Sequence, residues 1–139
     1  MNLEDRVLSS ETHQFKMIFH NTVNDHDTLF GGTAMQWMDE VAYITATRFS
    51  RMKMVTVSSE RVDFIKPINC GSIVEIIGKV IKVGTVRIEI QVEIFIESVE
   101  NDIRNKAVEA LFTFAAIDNK NNPIPLGLAL EIPKKSLIV

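Results

Sequence analysis

The chain has 139 residues, 46% hydrophobic and 24% charged, with a formal charge of −3 at pH 7. This is ordinary globular usage for one domain, and it excludes a disordered tail, a collagen-like fibre and a coiled coil. Apolar runs of only a few residues predict no membrane-spanning helix, the charged residues at 1–6 predict no secretory signal, and no basic block exceeds two residues, so neither a membrane nor a nucleic acid is an expected partner.

Residues 12–21 mix apolar and polar side chains and predict a short extended segment. Asn24-Asp25-His26-Asp27 follows, a loop of residues whose side chains bond their own backbone. Phe30-Gly31-Gly32-Thr33 then leads into a run without Gly or Pro to about Arg51, which predicts a long helix. On a wheel of ~100° per residue, Ala34, Met35, Trp37, Met38, Val41, Ala42, Ile44, Ala46 and Phe49 fill an arc of about 200°. That is twice the ~100° stripe of a surface helix. Gln36, Glu40, Tyr43 and Thr47 take the remainder. A helix this apolar must be wrapped, and a curved sheet is the natural wrapper.

After the helix the period changes from 3.6 to 2. Strands are predicted over 54–65, 72–83, 86–97 and 105–117, separated by Lys66-Pro67, Asn69-Cys70-Gly71, Gly84 and the hairpin turn Glu100-Asn101-Asp102. In the third, Val86, Ile88, Ile90, Val92, Ile94 and Ile96 alternate with Arg87, Glu89, Gln91, Glu93, Phe95 and Glu97, so one face is buried and Phe95 is an exception on the wet face. Asp118 to Pro123 ends the core, and the tail 119–139 is expected to be irregular or flexible. The fold class is therefore α+β in a single domain, 1–139, with its core at 12–118. One helix cannot cover both faces of so long a sheet, and the edges stay open, which predicts self-association as a dimer. A monomer with a polar outer face built on Arg87, Glu89, Gln91 and Glu93 is the alternative.

Three features carry chemistry. Gly31-Gly32 before a helix combines unpaired N–H groups, a partial positive charge and close backbone access, which suits an oxyanion or a polarised carbonyl oxygen. The plainer use is a tight turn packed on the sheet. Asp39 sits at the margin of the apolar arc, where it can act as general base to a water or as nucleophile on an acyl group. Its plainer use is a half-exposed aspartate bonded to a nearby Thr or Arg. Asn24 can hold a carbonyl or a water, or simply form an Asx turn. His13, His20 and His26 lack metal-ligand spacing, so no metal is expected. Cys70, the single cysteine, reads as an incidental free thiol, which fits reducing cytosol. Ser58 and Ser59 read as strand residues, and no phosphate loop or nucleophile elbow is present.

These signals follow one order: Asn24, Thr28-Leu29-Phe30-Gly31-Gly32, Met38-Asp39-Glu40, then Ser58-Ser59-Glu60-Arg61-Val62-Asp63-Phe64-Ile65-Lys66-Pro67, Gly71 and Val83-Gly84-Thr85. The series, over residues 17–117, resembles the hotdog-fold acyl-CoA thioesterases. The resemblance implies a long central helix wrapped by a curved antiparallel sheet, dimers that often assemble into a hexamer, and hydrolysis of acyl-CoA with no cofactor beyond the coenzyme A of the substrate. It implies Asp39 as base or nucleophile, the Gly32 N–H as carbonyl polariser beside Gly31 and Thr28, and Asn24 supplied to Asp39 by the partner chain. It also implies that the CoA nucleotide lies near Arg61 and the Gly84-Thr85 turn. The sequence departs from the family at Asp27, where many relatives carry glycine, which leaves the shape of that loop open. Two other readings are a non-catalytic acyl-CoA-binding domain and a hotdog hydroxyacyl-thioester dehydratase. The second is disfavoured because the central helix carries no His.

Overall fold

A computed structural model describes residues 2–100 and 102–126. Asn101 of the expected hairpin turn and residues 127–139 of the expected tail lie outside the described residues. The elements in chain order are α1 (Leu3–Ser10), β1 (Thr12–Met17), a 3-10 turn at His20–Thr22, α2 (Gly31–Ser50), β2 (Met54–Phe64), β3 (Ile73–Val83), β4 (Arg87–Glu97) and β5 (Arg104–Ala116). The strands form one antiparallel sheet in the order β1-β3-β4-β5-β2.

The sheet's inner face and α2 make the core. Ile88, Ile90, Val92 and Ile94 of β4 are fully buried, as their alternation predicts. From α2, Ala34, Met38, Val41, Ala42, Ala46 and Phe49 are buried against them, together with Thr45. Ile44 departs from the predicted arc and is exposed. Thr45 takes an inward place because its hydroxyl is satisfied by the Val41 carbonyl at 2.8 Å, within the helix. Gly78 of β3 faces this point. A Cβ added there would sit 2.6 Å from Thr45 Oγ1 and 3.0 Å from Val41 Cγ1, so a hydrogen is all that fits between helix and strand.

The segment before β1 corrects the sequence reading, which assigned no element to it. Residues 3–10 form α1, capped by Asn2, whose side-chain oxygen accepts from the Asp5 N–H at 2.8 Å. Arg48 of α2 donates to the carbonyls of Ser9 and Glu11 at the far end of α1, and Arg6 donates to the Phe49 carbonyl. Two arginines thereby satisfy the helix-terminal carbonyls that face one another. The expected extended segment 12–21 is shorter than predicted, because its end coils into the 3-10 turn. The start of the tail is ordered: Asp118 accepts from the N–H groups of Lys120 and Asn122, and the chain returns to bond Leu126 N–H to the Thr85 carbonyl at 2.7 Å. Leu126 is buried.

The outer face carries ion pairs. Phe95 is covered by the Arg104 guanidinium, 4.4 Å from its ring centroid, which accounts for an aromatic on the wet side. Arg104 also meets Glu75, and Glu75 bonds His13 at 2.7 Å, whose other nitrogen meets Glu11 at 2.6 Å. The Glu75 and Glu11 hydrogen bonds raise the His13 pKa above its ordinary value. Burial pushes the Glu75 carboxyl up, but hydrogen bonds from His13 and Arg104 together bring it below its ordinary value.

Two predictions follow from this packing. Replacing Gly78 with alanine should destabilise the fold by about 1–3 kcal/mol, read as a lower urea midpoint with unchanged slope, because the methyl group overpacks a buried helix contact. The His13 stabilisation is fully present below pH 6.5 and is lost as pH rises through the raised value, whereas that of Glu75 is present above pH 4.5 and lost as pH falls through the lowered one. The stability gap between the wild type and His13→Gln should therefore be widest between pH 4.5 and 6.5 and should close at higher pH.

Candidate active site

The loop before α2 is shaped by Asn24. Its side-chain oxygen accepts from the His26 N–H at 2.9 Å, the Thr28 N–H at 3.1 Å and the Thr28 hydroxyl at 3.1 Å. This is the Asx turn of the plainer expectation, and it leaves the Nδ2 donors outside these three bonds. Asp27 lies in the left-handed region, φ 59°, with its carbonyl accepting from Cys70 N–H. That conformation favours glycine, and Asp is among the residues that tolerate it, so this backbone accommodates the aspartate that the resemblance marked as a departure.

The chain then bonds Leu29 N–H to the Ile68 carbonyl and enters α2 with Phe30 as cap residue and no side-chain cap. The first N–H groups of α2 are thus without a side-chain acceptor at the positive end of a 20-residue helix. A Cβ added at Gly32 would meet nothing within 4 Å, so the space before its backbone is open. At Gly31 such a Cβ would lie 3.4 Å from the Phe64 ring, so that glycine faces β2.

Gly32, Met35, Gln36 and Asp39 share a cleft of about 380 Å³ with Thr56 and Ser59 of β2 and Phe112 of β5. The spacing from Gly32 to Asp39 is two helical turns, so both lie on one face, and the Asp39 side chain leans back toward the N-terminus. Asp39 is half-buried, and its Oδ1 accepts from the Thr56 hydroxyl at 3.1 Å. One carboxylate oxygen is thereby held by Thr56, and Asp39 also lines the cleft. The expected bond to a nearby threonine is present, and it coexists with a place in the cleft.

Of the residues singled out from sequence, the cleft gathers Gly32 and Asp39. Asn24 and Thr28 stay in their own turn and do not line it. Gly84 and Thr85 line a second, open groove of about 530 Å³ on the other side of β2, with Ser58, Glu60, Arg87 and Glu89. Arg61 is exposed at φ 53°, where the β2–β5 register slips between Glu60 and Asp63, and its neighbour Glu60 takes the place in the groove. Cys70 lies 3.5 Å from His20 Nδ1 and lines neither space. Thr56 was missed. Its only sequence signal is a hydroxyl in an alternating strand, and the strand's alignment against α2 is a tertiary fact. Among the described residues, no group of three or more His, Cys, Asp or Glu side chains is arranged to hold a metal.

A sequence model described as the thioesterase superfamily matches residues 26–102. A Bacillus subtilis protein named an uncharacterized acyl-CoA thioester hydrolase, YkhA, is 37% identical over 109 residues, covering 78% of this chain; the chain spans 63% of that relative's length. The solved structure of an acyl-CoA hydrolase from Staphylococcus aureus, in complex with butyryl coenzyme A, coenzyme A and coenzyme A disulfide, aligns with TM-score 0.81 and 33% identity over 96% of this chain and 79% of that one. A hexameric thioesterase from Yersinia pestis aligns with TM-score 0.76 and 30% identity over 82% of this chain and 93% of its own. Solved alanine variants of the Staphylococcus aureus enzyme replace an asparagine, an aspartate and a threonine spaced 15 and 17 residues apart. Asn24, Asp39 and Thr56 stand at those same two spacings here.

The left-handed turn at Asp27 generates a stability prediction. Asp27→Gly should leave the melting temperature unchanged or raise it slightly, whereas Asp27→Ala should cost about 1 kcal/mol, since alanine has no side-chain acceptor to offset a positive φ. Paired thermal melts of the two variants check this.

Proposed function

The chain belongs to the thioesterase superfamily, and from that membership we propose that it hydrolyses acyl-CoA to a free carboxylic acid and coenzyme A. The observation that carries this reading is the cleft in which a helix N-terminus, an open glycine and a threonine-held aspartate face one another. The thioester carbonyl oxygen lies against the Gly32 N–H, where the helix terminus stabilises the negative charge that builds on it. Asp39, with Thr56 holding its Oδ1, either takes a proton from a water as that water attacks the carbonyl carbon, or attacks the carbon itself to give an anhydride that water then opens. In both routes the C–S bond breaks, the sulfur leaves as thiolate and takes up a proton, and the oxygen of water ends in the acid. Water is the only co-reactant. Thr56 acts as a positioning residue, because it touches the carboxylate and not the reacting carbon.

Asn24 is assigned to the neighbouring protomer's cleft, in a site shared between two copies. Two features support this. The Nδ2 donors of Asn24 point away from its own turn's bonds, and β2 is an edge strand with Val55, Val57 and Phe64 exposed. The same strand carries Thr56, so pairing through or near it brings a partner to the cleft. A dimer, and a trimer of dimers built from it, is the proposed assembly, in line with the hexameric relative. The open groove at Gly84 and Thr85 is the proposed path of the CoA nucleotide, with Arg87 as the cation nearest it. A cytoplasmic setting fits a chain with one cysteine.

Thiol release from a panel of acyl-CoAs tests the reading. Asp39→Asn should fold normally and lose ~10²-fold or more in kcat. Thr56→Ala should lose about tenfold, with recovery in Thr56→Ser. Asn24→Ala and Asp39→Asn should each be nearly inactive alone, yet co-refolded in equal amounts they should regain about a quarter of wild-type activity, because one site in each mixed dimer is intact. Near-normal turnover by Asp39→Asn defeats the mechanism.

A further inference from the structure

Two polar side chains line the cleft that holds Asp39 without a task in the mechanism above, Gln36 and Ser59. They stand on different walls, Gln36 on α2 and Ser59 on β2. Gln36 is exposed, and among the described residues its carboxamide makes no hydrogen bond. Neither packing nor a local bond accounts for a glutamine at this point of the helix.

Position decides what it can reach. Gln36 stands four residues after Gly32 and three before Asp39. Residues at those spacings are neighbours on one helix face, with Cβ atoms ~5–6 Å apart where both have one. Helical side chains lean toward the N-terminus and cover the turn before their own Cα. The turn before Gln36 begins at Gly32, where no side chain intervenes and a Cβ would meet nothing within 4 Å. The carboxamide therefore has an open path to the space in front of the Gly32 N–H. That N–H lies outside the helix's own ladder, because the N–H of Ala34 is the first to be bonded, onto the Phe30 carbonyl at 3.0 Å.

We infer that Gln36 is a further catalytic residue, whose Nε2–H joins the Gly32 N–H as a second donor to the thioester carbonyl oxygen. The inference rests on the proposed hydrolase activity. When the oxygen nucleophile adds, a C–O bond forms and the carbonyl π pair moves onto the oxygen; when the C=O bond re-forms, the C–S bond breaks and the thiolate leaves with its electron pair. Between those events the oxygen carries negative charge and accepts more than one hydrogen bond, which is where preorganised donors contribute most. A carboxamide suits the place because it donates without giving up a proton, so it ends the cycle as it began. Ser59 is worse placed, since it comes from the wall that carries Thr56, across the cleft from the Gly32 N–H.

The test compares wild type with Gln36→Met and Gln36→Glu. Met keeps the length and the helix propensity without a donor, and Glu keeps the shape but puts a negative acceptor where the oxyanion forms. With acyl-CoA as substrate, Gln36→Met should lose ~10²-fold in kcat with little change in KM, and Gln36→Glu should lose more. A second readout needs no turnover. In an Asp39→Asn background, the infrared carbonyl stretch of bound carbonyl-labelled acyl-CoA should move to higher frequency when Gln36→Met is added, because the bond is less polarised. Thermal melts and gel filtration accompany both variants. A fall in kcat below about fivefold, a change confined to KM, or an unmoved carbonyl stretch overturns the assignment and leaves the hydrolase standing. A loss of kcat that follows a smaller assembly identifies Gln36 as a contact between protomers and also overturns it. Absence of turnover by the wild type with every acyl-CoA defeats the hydrolase reading itself.

Discussion

Helix α2 meets the concave face of the sheet at Gly78, where Thr45 and Val41 leave no room for a side chain, and from that approach the remaining geometry follows. A helix apolar around more than half its circumference requires apolar surface on several sides, and only a sheet that curls supplies it. The curl brings β5 and β2 round to one flank of α2. The C-terminal half of the helix is covered by α1, fastened by Arg48 and Arg6. The N-terminal half has no such cover. Its first turn opens beside β2, with uncapped N–H groups and two glycines in place of side chains.

That placement suits a reaction that needs little help. A thioester is an activated acyl group with a good leaving thiolate, so a polarised carbonyl and a placed oxygen nucleophile suffice. The cleft offers one donor set and one carboxylate, two turns apart on the same helix. Their separation is fixed by the helix itself, and the carboxylate rotamer is fixed by Thr56 from the sheet. The machinery is therefore as rigid as the contact between α2 and β2, and it does not depend on a mobile loop. The Asn24 turn is also held firmly, by three hydrogen bonds to one oxygen, and Asn24 does not line its own chain's cleft.

Much of this was legible in the sequence because it is periodic. The long helix and the alternation of β4 follow from residue spacing, and the Asn-to-Gly-Gly-to-Asp order carries the family resemblance. What was not legible is tertiary or subtle. The helix at 3–10 has a single cap, Asn2, and only two turns, too few for the apolar period to register among its charges. Arg104 over Phe95 turns an apparent violation of patterning into a packed pair, but the pair spans two strands. Thr56 is one hydroxyl among several in β2, and only the register of that strand against α2 selects it over Ser58 or Ser59. The start of the tail looked loose because of its prolines, yet Asp118 caps the turn and Leu126 finds a hydrophobic seat.

The sheet's two edges differ in a way that bears on assembly. β1 is six residues long, whereas β2 is eleven residues long and exposed along almost its whole length. A long edge with Val55, Val57 and Phe64 turned outward invites pairing, and its few exposed charges do little to prevent it. β2 also supplies Thr56 and Ser59 to the cleft that holds Asp39 and Phe64 to a second, apolar one. Covering this strand with a second copy would shield the apolar edge and narrow both clefts in a single event. Selection for a closed active site and selection against edge-to-edge aggregation then act on the same eleven residues, and a catalytic group carried by the partner is the economical outcome.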